Sequence, residues 1–526
     1  MSSISALQAS LRECYQKGEV DYYLKPLVHV VDGQPVGRIG NGDTLFFCCR
    51  RGDRQVQLTE ALVDPEFNHF QAESMLDLTV VTLVQFTDKF SHLPTIFPLV
   101  RPEETLGEVL SKAGVKQTRV AEKEKAAHVT FFFNGRRIEP YEGEEWVILP
   151  SPHSSEFLKK PATSTALVAE EVEKSMERQS AAEGKHFIVA NLAAGDIIGH
   201  LDDWEANISC AEAVDRALGA ICAAAAKHSY LVAVTADHGL LERFFNEDRS
   251  VNLSHTTSRV PFALIPPEGG PAVELEVSPE ATLADVAPTV LSLMGIAVPD
   301  SMDGVSRARV QGTYERVVLV IADGWGVGSP DRDKNPIAAA NTPNMDGLVK
   351  EGRYMTLAAA GFAVGLPEGR AGNSETGHLT LGAGRVVLQD ELRIARALAT
   401  GELRDNEAVR FGLEKARENG GEIHVLTMLT TKSSHGNMDE GLAVLRAAAE
   451  QGWKRAWLHL ILDGRSSPPQ GGADLLDVLR SRLPQGIEVE VVTAIGRGYA
   501  LDRSGGYTDK TKLAYEALIK GNGRSF

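Results

Sequence analysis

Arg316-Val-Val-Leu-Val-Ile-Ala322 followed by Asp323 decides how the chain is read. The run is apolar and largely β-branched, with no polar residue alternating into it. That is the pattern of a strand buried on both faces of a parallel sheet. Tyr230-Leu-Val-Ala-Val-Thr235 and His186-Phe-Ile-Val-Ala-Asn191 repeat the pattern. Each run ends at or near an acidic residue: Asp323, Asp237 and Asp196. Helical periodicity separates the strands, for example over Ser209–Lys227 and Asp285–Met294. Strands alternating with helices give an α/β layered fold. Ligands of open α/β sheets bind beyond the carboxyl ends of the strands, so the three acids are expected to converge.

A second α/β pattern runs from about residue 391. Its strands are Glu422-Ile-His-Val-Leu-Thr427, Ala456-Trp-Leu-His-Leu-Ile461 and Glu488-Val-Glu-Val-Val-Thr493. Thr44–Cys48 and Leu78–Thr82 add strands near the N-terminus, and the stretches Pro94–Pro102 and Gln389–Arg393 read as hinges between domains. A chain of 526 residues is expected to form more than one domain. Its net charge of −17 argues against nucleic acid or an anionic membrane as partner. The five cysteines include no C-x-x-C pair, which speaks against a disulfide framework or a thiolate zinc site. The N-terminal residues do not have the pattern of a signal peptide, and no apolar run approaches the roughly 20 residues of a membrane helix. A soluble, cytoplasmic, monomeric protein is expected.

Histidines gather near the strand-end acids. Asp196 and His200 are four apart, Asp237 and His238 are adjacent, and His255 follows downstream. Oxygen and nitrogen donors without thiolate suit manganese, zinc or magnesium. Each pair is weak evidence alone; their recurrence at the strand ends of one sheet is what carries weight. Gly372-Asn-Ser374-Glu-Thr-Gly-His378 places a serine in a glycine-rich run. A serine is a nucleophile only when a base or a metal activates it. Thr376 stands where a hydrolase elbow needs glycine. Arg51, Arg54, Arg465, Arg497 and Arg503 follow strands of the second pattern, and guanidinium forks suit carboxylates and phosphates. Lys125 and His435 acquire no role from local pattern.

Longer strings carry a resemblance. They are Asp323-Gly-Trp-Gly, Ala340-Asn-Thr-Pro-Asn, Val364-Gly-Leu-Pro-Glu-Gly, the run Gly372–Arg385, Thr105–Gly114, His128-Val-Thr-Phe-Phe-Phe-Asn-Gly135 and Thr235-Ala-Asp-His-Gly239. Together they resemble the cofactor-independent phosphoglycerate mutases of the alkaline-phosphatase superfamily. The resemblance implies two divalent metal ions, manganese foremost, with magnesium, cobalt or zinc also compatible. One ion would be held by Asp196, His200 and His255, the other by Asp237, His238, Asp323 and the nucleophile Ser374. Arg51, Arg54, Lys125, His435, Arg465, Arg497 and Arg503 match positions that grip phosphoglycerate. The implied reaction interconverts 3-phosphoglycerate and 2-phosphoglycerate through a phosphoserine.

Segment order departs from that family, whose chains open on the Asp-Gly-Trp-Gly strand. Here residues 1–300 resemble the family's C-terminal portion and 316–526 its N-terminal portion, as in a circular permutation. The expected organisation is a continuous phosphatase-like metal-binding domain, 98–390, and a transferase-like domain split into 1–97 and 391–526. Chemistry departs too. Ser466 follows Asp463-Gly-Arg465 where the family has a carboxylate thought to move protons, and Asn437 replaces a histidine. The metal-ligand positions are all filled. The loss at Ser466 keeps open an alternative, a metal-dependent phosphohydrolase or a phosphomutase of a related phospho-acid.

Overall fold

The computed structural model describes residues 2–73, 77–85, 87–181, 183–351 and 353–526. The chain divides into two compact units, Met1–Leu99 with Asp390–Phe526, and Val100–Gln389. Met1 itself, whose distance from Phe526 bears on the permutation, lies outside the described residues.

The Val100–Gln389 unit is built on a seven-stranded sheet. In spatial order the strands are Tyr354–Leu357, Val260–Ile265, Leu231–Thr235, Arg316–Ala322, His186–Leu192, Lys116–Glu122 and Glu144–Leu149. The last five run parallel. The first two are antiparallel additions at one edge. Arg316–Ala322 is central, and Val317–Ile321 are wholly buried, as an unbroken apolar run requires. Helices Thr165–Ser180 and Trp204–His228 pack against the sheet. The second starts five residues before the expected Ser209. Asp203 caps it by accepting from Ala206 N–H, which starts the helix at Trp204 and brings Ala206 into the buried stripe.

The other unit draws its eight-stranded sheet from both ends of the chain. The order is Arg524–Ser525, Leu27–Val28, Glu488–Gly496, Arg455–Leu462, Ile423–Leu429, Thr44–Cys48, Thr79–Val84 and Thr95–Phe97. From Glu488–Gly496 to Thr95–Phe97 every pairing is parallel. Phe46, Val425 and Leu458 share one core and Phe47, Leu426 and Ile461 another, one on each face of the sheet. The α/β reading therefore holds for both units. Among the described residues no helix is long and apolar enough to cross a membrane.

One buried charge pair steadies the strand that leads to Lys125. Arg119 is fully buried; its Nε lies 3.3 Å from Glu144 Oε1, and its Nη2 donates to Gln117 Oε1 at 2.8 Å. Glu144 also accepts from Asn134 Nδ2 at 2.7 Å and Trp146 Nε1 at 2.6 Å. Removing one partner of such a pair strands the other charge. Glu144→Gln is expected to destabilise this unit by about 3–5 kcal/mol in urea unfolding. Arg119→Met with Glu144→Leu should cost far less; equal losses would show that the pair carries no such charge coupling.

Candidate metal centre and arginine cluster

Four parallel strands deliver the first cluster. Lys125 follows Lys116–Glu122, Asp196 sits on the short helix after His186–Leu192, Asp237 and His238 follow Leu231–Thr235, and Asp323 follows Arg316–Ala322. Ser374 is the first residue of helix Ser374–Ala383, capped by Asn373, whose side chain accepts from Thr376 N–H. Free amide N–H groups at a helix start favour an anion there. A Cβ on Gly377 would lie 2.5 Å from Asp237 O, so glycine is what lets this helix approach the acid so closely.

The seven residues implied as metal ligands lie together. His255 Nε2 is 3.1 Å from Asp196 Oδ1 and 3.0 Å from His200 Nε2, and His200 Nε2 is 3.3 Å from the same carboxylate oxygen. His238 Nε2 is 3.0 Å from Ser374 Oγ and 3.5 Å from each of Asp196 Oδ1, Asp237 Oδ2 and Asp323 Oδ1. Among the described residues, three donor sets are compact enough for an ion: Asp196–His200–His255, Asp196–His238–Asp323 and Asp237–Asp323–His378. Asp196 thus borders both halves of the cluster, where the sequence reading had given it to one ion alone.

The histidine tautomers follow from their outer contacts. Nδ1 of His200 is 2.9 Å from Leu253 O, Nδ1 of His255 is 2.9 Å from Gly372 O, and Nδ1 of His238 is 3.4 Å from Gly239 O. A carbonyl only accepts, so each Nδ1 carries a proton, and it is Nε2 that offers a lone pair inward when the ring is neutral. Asp196 raises the pKa of His200 and, over the opposing effect of burial, that of His255. The two Nε2 atoms of His200 and His255, 3.0 Å apart, repel when both rings are neutral unless a proton or a metal cation stands between or beside them. This is the donor arrangement of a metal site.

Charge points the same way. Three buried carboxylates face one ammonium, Lys125 Nζ, which donates to Asp196 Oδ2 at 2.6 Å, Asp323 Oδ1 at 2.8 Å and Ser374 Oγ at 2.7 Å. Burial opposes charge on Lys125, but Asp323, Asp196 and Asp237 outweigh it and hold its pKa above the ordinary lysine value. Asp196 is likewise disfavoured by burial yet held well below the carboxylate range, chiefly by Lys125. Burial and the adjacent Asp237 raise Asp323. Buried Asp237 Oδ2 has no hydrogen-bond donor of good geometry among the described residues. Acceptors in excess of donors fit a site made for cations.

Two residues that local sequence pattern did not single out sit behind these acids. Asn191 Nδ2 donates to Asp323 Oδ2 at 2.7 Å and to His378 Nε2 at 3.0 Å. His378 Nδ1 donates to Ser374 O at 2.9 Å and lies 3.2 Å from Asp237 Oδ2. His378 is one helical turn beyond Ser374, a spacing that puts both on one helix face, and this was the available signal.

In the other unit the arginines stand at neighbouring strand ends. Arg51 and Arg54 follow Thr44–Cys48, His435 follows Ile423–Leu429, Arg465 follows Arg455–Leu462, and Arg497 ends Glu488–Gly496. Asp53 links two of them: Arg51 Nε donates to Oδ1 at 2.7 Å and Arg503 Nη1 to Oδ2 at 2.5 Å. Arg54 Nη1 donates to Leu501 O at 3.2 Å, and Arg497 pairs with buried Asp463. His435 is buried, and its Nε2 makes no hydrogen bond among the described residues. Burial, then Arg497, Arg54 and Arg51, push its pKa down to about 4, so the ring is neutral near pH 7. Ser466 N–H donates to Asp463 Oδ2 at 3.0 Å.

Outer residues that orient metal ligands typically matter 10–100-fold in affinity. Asn191→Leu and His378→Leu should each weaken Mn²⁺ binding by about that factor in calorimetry while far-UV dichroism is retained. Undiminished affinity would show that the two residues do not position the acids.

Two family models match the chain. The metalloenzyme superfamily model covers residues 32–298, and the model described as BPG-independent PGAM N-terminus covers 394–526. Among similar curated proteins is the 2,3-bisphosphoglycerate-independent phosphoglycerate mutase of Salinibacter ruber. It is 38% identical over 308 residues, 57% of this chain and 56% of the relative. The protein of the same name from Methanococcoides burtonii is 40% identical over 302 residues, 56% of each. A Leishmania mexicana phosphoglycerate mutase structure, solved at low cobalt concentration, aligns with TM-score 0.40 and 25% identity over 54% of this chain and 53% of its own. The chain thus spans about half the length of the curated relatives it matches. With its metalloenzyme match extending over just more than half of the sequence, the chain belongs to the metalloenzyme superfamily.

Proposed function

We propose that the protein interconverts 3-phosphoglycerate and 2-phosphoglycerate through a phosphoserine at Ser374, in a centre for two divalent cations. The observation that carries this reading is the placement of Ser374 Oγ. It lies 2.7 Å from Lys125 Nζ, 3.0 Å from His238 Nε2 and 3.3 Å from Asp323 Oδ1, at a capped helix start. Asp196, His200 and His255 would hold one ion, and Asp237, His238, Asp323 and Ser374 the other. Bound divalent cations lower the pKa of a coordinated hydroxyl and neutralise charge on a transferring phosphoryl group. Manganese is the first choice for such a donor set, with magnesium, cobalt and zinc as alternatives.

The chain's own groups supply the rest. Lys125 holds an ammonium against the serine oxygen, where it favours the alkoxide and then pairs with phosphoryl oxygens. The N–H groups at the start of the Ser374–Ala383 helix add partial positive charge. Arg51, Arg54, Arg465, Arg497 and Arg503 offer forks for a phosphorylated carboxylic acid, with His435 among them. Transfer of the group from Ser374 to the other glycerate hydroxyl completes the isomerisation.

The transferase-like part, 1–97 with 391–526, and the phosphatase-like part, 98–390, are read as a circular permutation of the family's order. Two observations support this. A model named for the family's N-terminus matches residues 394–526, and strands from both ends of this chain pair in one sheet. The reaction implies a small-molecule phosphoglycerate partner, and we further propose a cytoplasmic monomer.

Ser466 favours a second reading. A hydroxyl does not titrate near neutral pH, and Asp463 is engaged by Arg497 and the Ser466 amide. A poorly served return step would make the enzyme a phosphohydrolase. The deciding measurement supplies 3-phosphoglycerate and compares 2-phosphoglycerate formed with inorganic phosphate released. Mostly 2-phosphoglycerate is expected. A restored general acid–base group contributes about 10²–10⁴-fold at most, so Ser466→Asp should raise the mutase rate. Mostly phosphate, with Ser466→Asp no different, would establish the hydrolase.

A further inference from the structure

Arg465 is the exception in the arginine cluster. It is exposed and makes no hydrogen bond or ion pair among the described residues. Its guanidinium carbon instead lies 4.3 Å from the centroid of the Tyr22 ring, and that of Arg497 lies 5.3 Å from the same ring. Both distances are within the roughly 6 Å over which a cation is drawn to an aromatic face. A planar guanidinium stacked by its face keeps its N–H edge free, and that edge binds a carboxylate or phosphate bidentately.

The fold is shaped to bring the ring there. Tyr22 lies in the short helical turn Asp21–Tyr23, which packs against helix Arg497–Ala500 and the end of strand Glu488–Gly496. Asp21 anchors the turn: it is buried and accepts from Tyr15 Oη at 2.5 Å and from Gly472 N–H at 2.9 Å. A Cβ on Gly464 would lie 2.8 Å from Tyr22 N, and one on Gly498 2.9 Å from Tyr22 Cε1. These glycines adjoin Arg465 and Arg497 in sequence. The two loops that carry the arginines are therefore hollowed where the tyrosine turn seats.

We propose that Tyr22 is a positioning residue of the anion site, its ring holding Arg465, whose N–H groups are unengaged among the described residues, for a phosphorylated carboxylic acid, while Arg497 beside the same ring stays paired with Asp463. The proposal rests on the anion-binding part of the reading above and does not require that the protein be a mutase. An unsupported Arg465 would lose side-chain freedom on each binding event, a cost that stacking removes beforehand.

The test is calorimetric binding of 3-phosphoglycerate to the full chain carrying Ser374→Ala, so that affinity is read without turnover. Tyr22→Phe keeps the ring face and should bind within about twofold of the parent. Tyr22→Leu removes the face and should weaken binding by roughly 3- to 30-fold, while Mn²⁺ affinity stays unchanged. If Tyr22→Leu impairs folding, Tyr22→Met replaces it. That change keeps bulk without an aromatic face and should weaken binding comparably, and unchanged binding there would likewise overturn the proposal. Unchanged binding in Tyr22→Leu, or equal weakening in Tyr22→Phe, would overturn the proposal. Because binding is measured apart from turnover, absence of mutase activity in the chain that retains Ser374 would overturn only the reaction assigned above.

Discussion

The site in the Val100–Gln389 unit is governed by the repulsion among Asp196, Asp237 and Asp323. Three carboxylates buried at adjacent strand ends are costly, and one lysine does not neutralise them. The surroundings are built to sustain that charge. Asn191 and His378 hold the acids from behind, and backbone carbonyls hold Nδ1 of His200 and His255 so that Nε2 of each faces Asp196. A purely structural cluster would have been satisfied by hydrogen-bond donors. Here acceptors accumulate, and Ser374 Oγ is placed among them.

The parallel sheet makes this economical. Each crossover returns the chain so that successive strands point the same way, and their ends form one ledge. Lys125, Asp196, Asp237 and Asp323, up to 198 positions apart, become neighbours through strand order alone. The same rule places Arg51, His435, Arg465 and Arg497 at adjacent strand ends in the other unit. One sheet gathers carboxylates at its strand ends and the other gathers arginines.

Strand-end acids were legible in the sequence because each combines two local signals, an apolar run and a charge at its end. Ser374 was legible through its glycine-rich setting. Asn191 was not, because a polar residue closing an apolar strand looks like a boundary, and only the neighbouring strand shows that it faces Asp323. His378 lay inside a quoted motif, but its inward direction depends on how closely helix Ser374–Ala383 approaches Asp237. Lys125 had no local pattern, since its meaning comes entirely from carboxylates on other strands. Tyr22 was illegible for the same reason: an aromatic residue in a short turn reveals nothing until two arginine loops are folded against it.

The central claim is that Ser374 attacks a phosphoryl group within this cluster. It is tested most directly by acid-quenching the Mn²⁺-loaded protein during exposure to 3-phosphoglycerate and mapping phosphate by peptide mass spectrometry. The account predicts phosphate on the peptide containing Ser374, dependent on the metal and absent after Ser374→Ala. Phosphate on another residue, or turnover that persists in Ser374→Ala, would contradict it.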